Sequence, residues 1–181
     1  MAGSVLVALA IYLPFINLYL NPQKVLATLP GSDFYLTIPK IEAQAPIIAN
    51  VDPWNESTYL PVLQQGIGSA TGSVSPDQKG LIYLFAHSSD VPWRITRYNT
   101  AFLRLGDLKA GDQIVITKNN QRYNFVMDKS VEVWPSDVTY LKALELNSRG
   151  IEESQQTTLI LQTCTPIGTS LKRLLVFAHR V

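Results

Sequence analysis

The sequence predicts an all-β domain, built as a closed barrel or a sandwich, that follows an apolar N-terminal segment. From residue 34 onward, short runs rich in β-branched and aromatic residues recur, separated by Gly, Pro and Asn. Seven or eight such runs are present, with room for two minor helices, and this spacing is typical of barrels and sandwiches. Ahead of them, residues 3–20 carry no charge.

Composition limits the classes of function. A chain of 181 residues fits one domain with a full hydrophobic core. The formal net charge is +1 and both signs are spread along the chain, so we expect no nucleic-acid partner. The single cysteine excludes an internal disulfide and assigns any thiol chemistry to Cys164.

The uncharged N-terminal run predicts a membrane anchor over residues 1–21, followed by a stalk over 22–32 and the domain over 33–181. A helix of 18 residues would be about 27 Å long, close to the thickness of a bilayer core. A cleaved signal peptide or a buried helix are the alternatives, although no basic region and no clear cleavage site are visible. No Lys or Arg precedes the run, so the positive-inside rule does not predict the orientation of this anchor in the membrane.

Strand formers predict the elements in order. The expected strands cover residues 34–38, 45–49, 81–86, 113–117, 122–127, 131–134, 158–161 and 174–178. Pro46 suggests that the second strand lies at an edge, and Asn in the segment 118–121 suits the positive φ of a hairpin turn. One helix is expected over 56–63, with Pro61 in its first turn. Another is expected over 137–146, with Asp137 as its N-cap.

Cys164 is the residue best placed for chemistry. It follows the apolar run 158–161, and Pro166 and Gly168 stop that run immediately afterwards. Arg173 begins the next apolar run, so a strand-loop-strand connection could return its guanidinium to the sulfur. A cysteine nucleophile also needs a proton carrier, and the chain holds only two histidines.

His87 is the predicted proton carrier. It follows the run 81–86 and opens a polar loop, whereas His179 lies six residues past Arg173, about 20 Å away along a strand. The segment 88–99 is predicted to be a long loop that borders the site and contains Trp93. Each residue also has an ordinary explanation: a packed cysteine, a surface histidine, a paired arginine, and a solvated loop with its tryptophan against the barrel.

Other chemistries lack the necessary residues. One Cys and two distant His do not supply the three or four close ligands that zinc requires. Neither a Gly-rich phosphate loop nor a serine nucleophile elbow is present. No metal site is therefore predicted, and the carboxylates are too dispersed to name a calcium site.

The region around Cys164 resembles a known family. Residues 161–168 read Leu-Gln-Thr-Cys-Thr-Pro-Ile-Gly, and Arg173 follows nine residues after the cysteine. This pattern is similar to that of the sortases, the membrane-anchored cysteine transpeptidases of the bacterial surface. Segments 37–41, 85–88 and 133–137 agree, and the resemblance covers residues 34–180. Two departures leave the subclass open: Ile160 stands where the motif has Thr, and Ala86 where Gly often precedes the histidine.

The resemblance implies an eight-stranded sortase-like β-barrel whose catalytic residues are His87, Cys164 and Arg173. Thr163 is expected to support the cysteine strand and the bound substrate, and Trp93 to border the substrate groove. The implied reaction cleaves a Leu-Pro-x-Thr-Gly-like sorting signal between Thr and Gly through a cysteine thioester, and passes the acyl group to an amine. No cofactor is expected, with calcium activation left open.

The resemblance also implies partners and a location. The substrates would be secreted surface proteins or pilins with a C-terminal sorting signal, and the acceptor amine would come from a cell-wall precursor or a pilin lysine. The chain is expected in the cell membrane, crossing it once, with its catalytic domain outside. Two alternatives use the same residues: a hydrolytic cysteine peptidase, and a catalytically inactive surface module that only binds peptide.

Overall fold

The computed structural model describes residues 33–89, 98, 100–150 and 155–181, together with Leu13, Ile16 and Asn17. Apart from those three residues, the segments predicted to be an anchor and a stalk lie outside the described part. In the described part, no helix combines the length and the apolar character that a membrane crossing needs.

Eight strands form within these ranges. They are β1 (Phe34–Ile38), β2 (Ala43–Val51), β3 (Ile67–Ala70), β4 (Gly80–Phe85), β5 (Gln113–Lys118), β6 (Gln121–Val133), β7 (Thr157–Thr165) and β8 (Lys172–Arg180). The described α-helices are α1 (Glu56–Leu63) and α2 (Lys142–Ser148), and short 3-10 helices cover Pro39–Ile41, Leu105–Asp107 and Thr139–Leu141.

The strands close into a barrel in the order β1-β2-β3-β4-β7-β8-β6-β5, and β1 pairs with β5 to complete it. The β2–β3 and β4–β7 pairs are parallel, and the other pairs are antiparallel. Parallel neighbours require a crossover connection, and α1 lies in the connection between β2 and β3. The prediction of an eight-stranded barrel with two short helices is confirmed.

Two apolar clusters hold the barrel together. Every strand contributes to the inner cluster, whose largest members include Leu36, Leu84, Phe125 and Leu159. The outer cluster joins alternate residues of β4, with Ile160 of β7 and Leu175 of β8, to Leu63 of α1 and Leu144 of α2. Because both faces of β4 are covered, all six of its residues are buried, which explains its continuous apolar sequence.

The third strand was missed because glycine obscures its pattern. Gly66 and Gly68 read as helix breakers, yet Ile67–Ala70 is a fully buried strand. A β-carbon on Gly68 would lie 2.9 Å from the ring of Phe85, and one on Gly66 would lie 2.4 Å from the carbonyl oxygen of Pro46. These glycines are therefore required by close packing rather than by a turn.

Several local predictions are corrected by the structure. Pro46 does not mark an edge, because β2 lies between β1 and β3 in a closed barrel. The runs 122–127 and 131–134 belong to one strand, β6, whose register shifts between Met127 and Lys129. Pro61 lies inside α1 and not in its first turn. The single helix expected over residues 137–146 is instead a 3-10 helix followed by α2.

The predicted hairpin turn is confirmed, whereas the predicted helix N-cap is shifted by one residue. Asn119 and Asn120 have φ values of 51° and 62° in the β5–β6 hairpin. The carboxylate of Asp137 accepts hydrogen bonds from the Thr139 backbone N–H (3.2 Å) and the Thr139 hydroxyl (2.7 Å). The N-cap of the 3-10 helix is Val138, so the prediction of Asp137 as the N-cap is wrong by one position, and Asp137 instead fixes the turn that leads into the helix.

Candidate active site

Cys164 and Arg173 lie directly opposite each other on neighbouring strands. β7 and β8 are antiparallel, and their register pairs Cys164 with Arg173. Side chains of directly opposite residues share one face of a sheet, with β-carbons about 5 Å apart. The structure therefore places the arginine beside the cysteine, as the sequence predicted.

His87 reaches the same position from the other side of β7. β4 runs parallel to β7, and its last residue, Phe85, pairs with Gln162. The pairing continues beyond β4, because the Ala86 N–H donates to the Gln162 carbonyl oxygen at 3.1 Å. His87 lies two residues past Phe85, and Cys164 lies two residues past Gln162. The end of β4, the end of β7 and the start of β8 thus bring the three predicted catalytic residues to one edge of the barrel.

Thr163 points away from this face. Its side chain is 3% exposed, and its hydroxyl donates to the carbonyl oxygen of Ala86 at 3.0 Å. The expected substrate contact does not apply to this side chain, because successive residues of a strand face opposite sides. Thr163 instead fixes the end of β4 immediately before His87.

A further hydrogen bond joins the two loops at this edge. The Gly168 backbone N–H donates to the hydroxyl of Ser89 at 2.9 Å. Ser89 lies two residues after His87, and Gly168 lies four residues after Cys164. The segment that follows the histidine is therefore attached to the β7–β8 connection. No pattern in the sequence indicates this contact.

The guanidinium of Arg173 is held by backbone carbonyl oxygens at and just before the start of β8. Its Nη1 donates to the carbonyl oxygens of Ser170 (3.0 Å) and Lys172 (3.3 Å). These contacts restrict the side chain on one flank. An arginine carries five N–H donors, so others remain available for a bound group.

Tyrosines line the outer face next to the cysteine. The ring of Tyr59 on α1 packs edge-on against Phe85, with centroids 5.8 Å apart. Tyr83 on β4 stacks on Tyr140 at 5.9 Å. Both Tyr83 and Tyr140 hydrogen-bond the side-chain oxygen of Gln162. No pattern in the sequence singles out this group, although Gln162 lies two residues before Cys164 and therefore on the same face.

Comparison with known proteins identifies the family. The model of the sortase domain matches residues 36–181. The chain belongs to the sortase family. Sortase D of Bacillus subtilis (strain 168) is 28% identical over 149 residues, which cover 81% of this chain and 62% of that protein. The chain thus spans less than two thirds of that relative.

Solved sortase structures share the fold of this sortase. Sortase A from Corynebacterium diphtheriae, a lid mutant, has a TM-score of 0.63 and 30% identity, covering 94% of this chain and 78% of that one. Sortase C1 from Streptococcus agalactiae has a TM-score of 0.64 and 28% identity, covering 89% of this chain and 72% of that one. Sortase C1 from Streptococcus suis has a TM-score of 0.63 and 27% identity, covering 81% of this chain and 71% of that one.

Burial determines the protonation of the thiol in this sortase. Loss of solvent raises the pKa of Cys164 above its ordinary value, and the positive charge of Arg173 lowers it by less than burial raises it. The net shift is upward, so the thiol is largely protonated at neutral pH. Arg173 is thus the group that favours the thiolate.

Burial also keeps the nearby phenols neutral. It raises the pKa of Tyr59, Tyr83 and Tyr140, with the largest rise at Tyr83. The charge of Arg173 lowers each of these pKa values by a smaller amount. At neutral pH the three hydroxyls therefore keep their protons and act as hydrogen-bond donors.

The second histidine lies elsewhere in this sortase. His179 pairs with Thr158, six register positions from the pair formed by Cys164 and Arg173. Its Nδ1 lies 2.7 Å from the carboxylate of Asp128. This pair stands at the opposite end of β7 and β8 from the cysteine.

Two further predictions concern Trp93 and a metal site. Trp93 lies outside the described residues. Over the described ranges, no three or more His, Cys, Asp and Glu side chains converge in a way that could hold a metal ion.

Proposed function

We propose that this sortase is a cysteine transpeptidase, which cleaves a peptide through a thioester on Cys164 and transfers the acyl group to an amine. The observation that carries the proposal is the register of three strands. β7 and β8 place Cys164 opposite Arg173, and β4 ends beside them with His87. A nucleophile, a cation for developing negative charge and a proton carrier are the groups that acyl transfer requires.

Acylation is the first half of the reaction. In the reactive form the Cys164 thiol has passed its proton to His87. The resulting thiolate attacks the scissile carbonyl carbon, and the carbonyl oxygen acquires negative charge in a tetrahedral intermediate. Arg173 stabilises that charge or holds the peptide, and protonated His87 gives its proton to the departing amine. The carbon–nitrogen bond breaks, and the acyl group remains on sulfur as a thioester.

Deacylation completes the transfer. An incoming amine attacks the thioester carbon, and neutral His87 accepts the proton that the amine loses. The carbon–sulfur bond then breaks and regenerates Cys164, while the product carries a new amide bond. A protonated thiol in the resting enzyme also reacts slowly with oxidants, because the thiolate is the species that they attack.

The proposed substrates are secreted surface proteins or pilins with a C-terminal Leu-Pro-x-Thr-Gly-like signal, cut between Thr and Gly. The acceptor is an amine of a cell-wall precursor or of a pilin lysine. Membership of the sortase family supports this substrate class. The pattern of Cys164 and Arg173, nine residues apart, supports it as well.

The proposed location is the cell membrane, with the barrel on its outer side. The uncharged residues 3–20 support a single-pass anchor. A tether would raise the effective concentration of the enzyme near substrates that emerge through the same membrane.

Mass spectrometry with an amine acceptor tests this proposal. Purified protein is incubated with a library of peptides built on the Leu-Pro-x-Thr-Gly signal, with and without oligoglycine. A transpeptidase gives ligated product when oligoglycine is present, whereas a hydrolytic peptidase gives only free acid. An inactive binding module gives neither product. Cys164→Ala is the matched control, which should remain folded and cleave nothing.

A further inference from the structure

Gln162 occupies a central position on the face that carries the nucleophile. It precedes Cys164 by two residues on β7, so its side chain lies on the same face, about 7 Å along the strand. Its backbone carbonyl accepts the bond from Ala86 that brings the end of β4 to the site. The side chain is half-buried and not enclosed.

Two phenols fix the orientation of the Gln162 carboxamide. The Tyr140 hydroxyl donates to the Gln162 Oε1 at 3.0 Å, and the Tyr83 hydroxyl donates to the same oxygen. The two rings stack on each other and come from different elements, β4 and the 3-10 helix before α2. Because burial raises the pKa of both phenols, they remain donors at neutral pH. The oxygen of the carboxamide is thus used within the protein.

The nitrogen of the same carboxamide has no partner in the described part of the chain, where no group accepts a hydrogen bond from the Gln162 Nε2. No fully buried side-chain nitrogen or oxygen in that part lacks a partner, so this nitrogen is not fully buried. The protein therefore presents an oriented N–H donor about 7 Å along β7 from Cys164.

We propose that Gln162 is a specificity-determining residue, which donates a hydrogen bond to a carbonyl-type oxygen of the bound peptide about two residues from the scissile carbonyl. The spacing holds for a peptide that lies extended along β7, because such a peptide advances about 3.3 Å per residue, as the strand does. The inference rests on the proposed peptide-transfer function. The accepting oxygen belongs either to the peptide backbone or to a polar side chain of the signal.

The chemistry disfavours an apolar group at this position. A peptide that covers the Gln162 nitrogen without accepting its hydrogen bond leaves a desolvated donor, which costs more than the bond contributes when formed. The site therefore rejects a purely apolar occupant more strongly than it rewards a correct one.

Two variants of Gln162 test the inference, because they remove the Nε2 donor either alone or together with the oxygen that the two phenols hold. Gln162→Glu keeps oxygen atoms for both phenols but cannot donate to the peptide, and Gln162→Leu removes both functions. We expect each to lower kcat/KM for the best library peptide by about five- to tenfold, mainly through KM, as the loss of one hydrogen bond predicts. Gln113→Leu, at an exposed position on β5, is the matched control and should retain wild-type values.

A small alkylating reagent separates peptide recognition from damage to the site. Iodoacetamide reacts with Cys164 without occupying a peptide groove, so its rate and pH profile should be unchanged in Gln162→Leu. Tyr140→Phe, which loses one anchor of the carboxamide, should raise KM by a smaller factor than Gln162→Leu. A merely structural role for Gln162 would instead alter alkylation and peptide cleavage together.

Modified peptides identify the source of the accepting oxygen. An alkene isostere that removes one backbone carbonyl, or alanine in place of a polar side chain, should abolish the difference between wild type and Gln162→Leu. Equal KM values for Gln162→Leu and wild type on every cleaved peptide would overturn the inference and leave the proposed function intact. If the wild-type protein cleaves no library peptide, both the proposed function and this inference are rejected.

Discussion

The two histidines offer a matched comparison at the scale of single residues. His87 lies two residues past the end of β4, at the same edge of the barrel as Cys164, whereas His179 contacts Asp128 at the opposite end of β7 and β8. His87→Ala should lower kcat for peptide cleavage by about 10²- to 10⁴-fold, the usual contribution of a general acid–base group. His179→Ala should retain wild-type kcat. Similar losses in both variants would show that the effect comes from stability and not from proton transfer.

Arg173 should control the ionisation of the thiol. Its charge lowers the pKa of Cys164 against the rise that burial causes, so Arg173→Ala should raise that pKa further. The thiolate then forms only at higher pH. The pH profile of iodoacetamide alkylation should accordingly shift to higher pH in this variant, measured by intact mass at a series of pH values.

Lys172 provides the control for that experiment. Its ammonium pairs with Glu132 at 3.1 Å, on the strand position next to Arg173 and therefore on the other face. Lys172→Ala removes the same formal charge and should leave the pH profile of Cys164 alkylation unchanged. Coincident profiles for Arg173→Ala and wild type would contradict the electrostatic role of Arg173.

At the scale of elements, Gly68 links β3 to the catalytic edge. A β-carbon there would meet the Phe85 ring at 2.9 Å, and Phe85 lies two residues before His87. Gly68→Ala should therefore destabilise the barrel by about 1–3 kcal/mol, the usual cost of overpacking, and should lower kcat by displacing the end of β4. Denaturant unfolding and peptide cleavage measure the two effects.

Gly106 is the matched glycine for this comparison. A β-carbon at Gly106 has its nearest neighbour at 3.7 Å, which is an ordinary contact distance, and its φ lies outside the positive region. Gly106→Ala should thus change the free energy of unfolding by less than about 0.5 kcal/mol. Equal stability of both variants would mean that the close approach at Gly68 is not required.

The elements differ in how far the sequence could predict them. β1, β4 and β5 were located because continuous or alternating apolar residues between turn residues identify a strand directly. β3 was missed because its glycines are demanded by Phe85 and Pro46, which are distant in sequence. β6 was divided at residues 128–130, where a register shift interrupts the alternation.

The residues of the candidate site also differ in how far the sequence could predict them. Cys164, Arg173 and His87 were predicted because reactive side chains at strand ends stand out in the sequence. The orientation of the Thr163 side chain was not predicted, since the face on which it lies depends on the exact strand register. Tyr83, Tyr140 and Gln162 come from three separate segments, and only the β4–β7 pairing and the position of the helical segment bring them together.

At the scale of the whole molecule, the barrel and the N-terminal segment should have separable roles. The barrel closes through β1 and β5, with Asn119 donating to the carbonyl oxygen of Asp33 at 2.8 Å, so its pairing begins at residue 33. A chain that lacks residues 1–32 should fold and cleave peptide with the kcat of the full chain. In liposome flotation, only the full chain should rise with the vesicles. Equal flotation of the two chains would contradict the proposed anchor.

The central claim, a thioester on Cys164 that an amine resolves, is tested most directly by intact-mass spectrometry of the protein quenched in acid during turnover. The account predicts a mass increase equal to the acyl fragment of the peptide, located on Cys164. The adduct should decrease when oligoglycine is added before the quench, while ligated peptide accumulates, and it should be absent from Cys164→Ala. Cleavage without any adduct, or an adduct that oligoglycine does not resolve into ligated peptide, would contradict the claim.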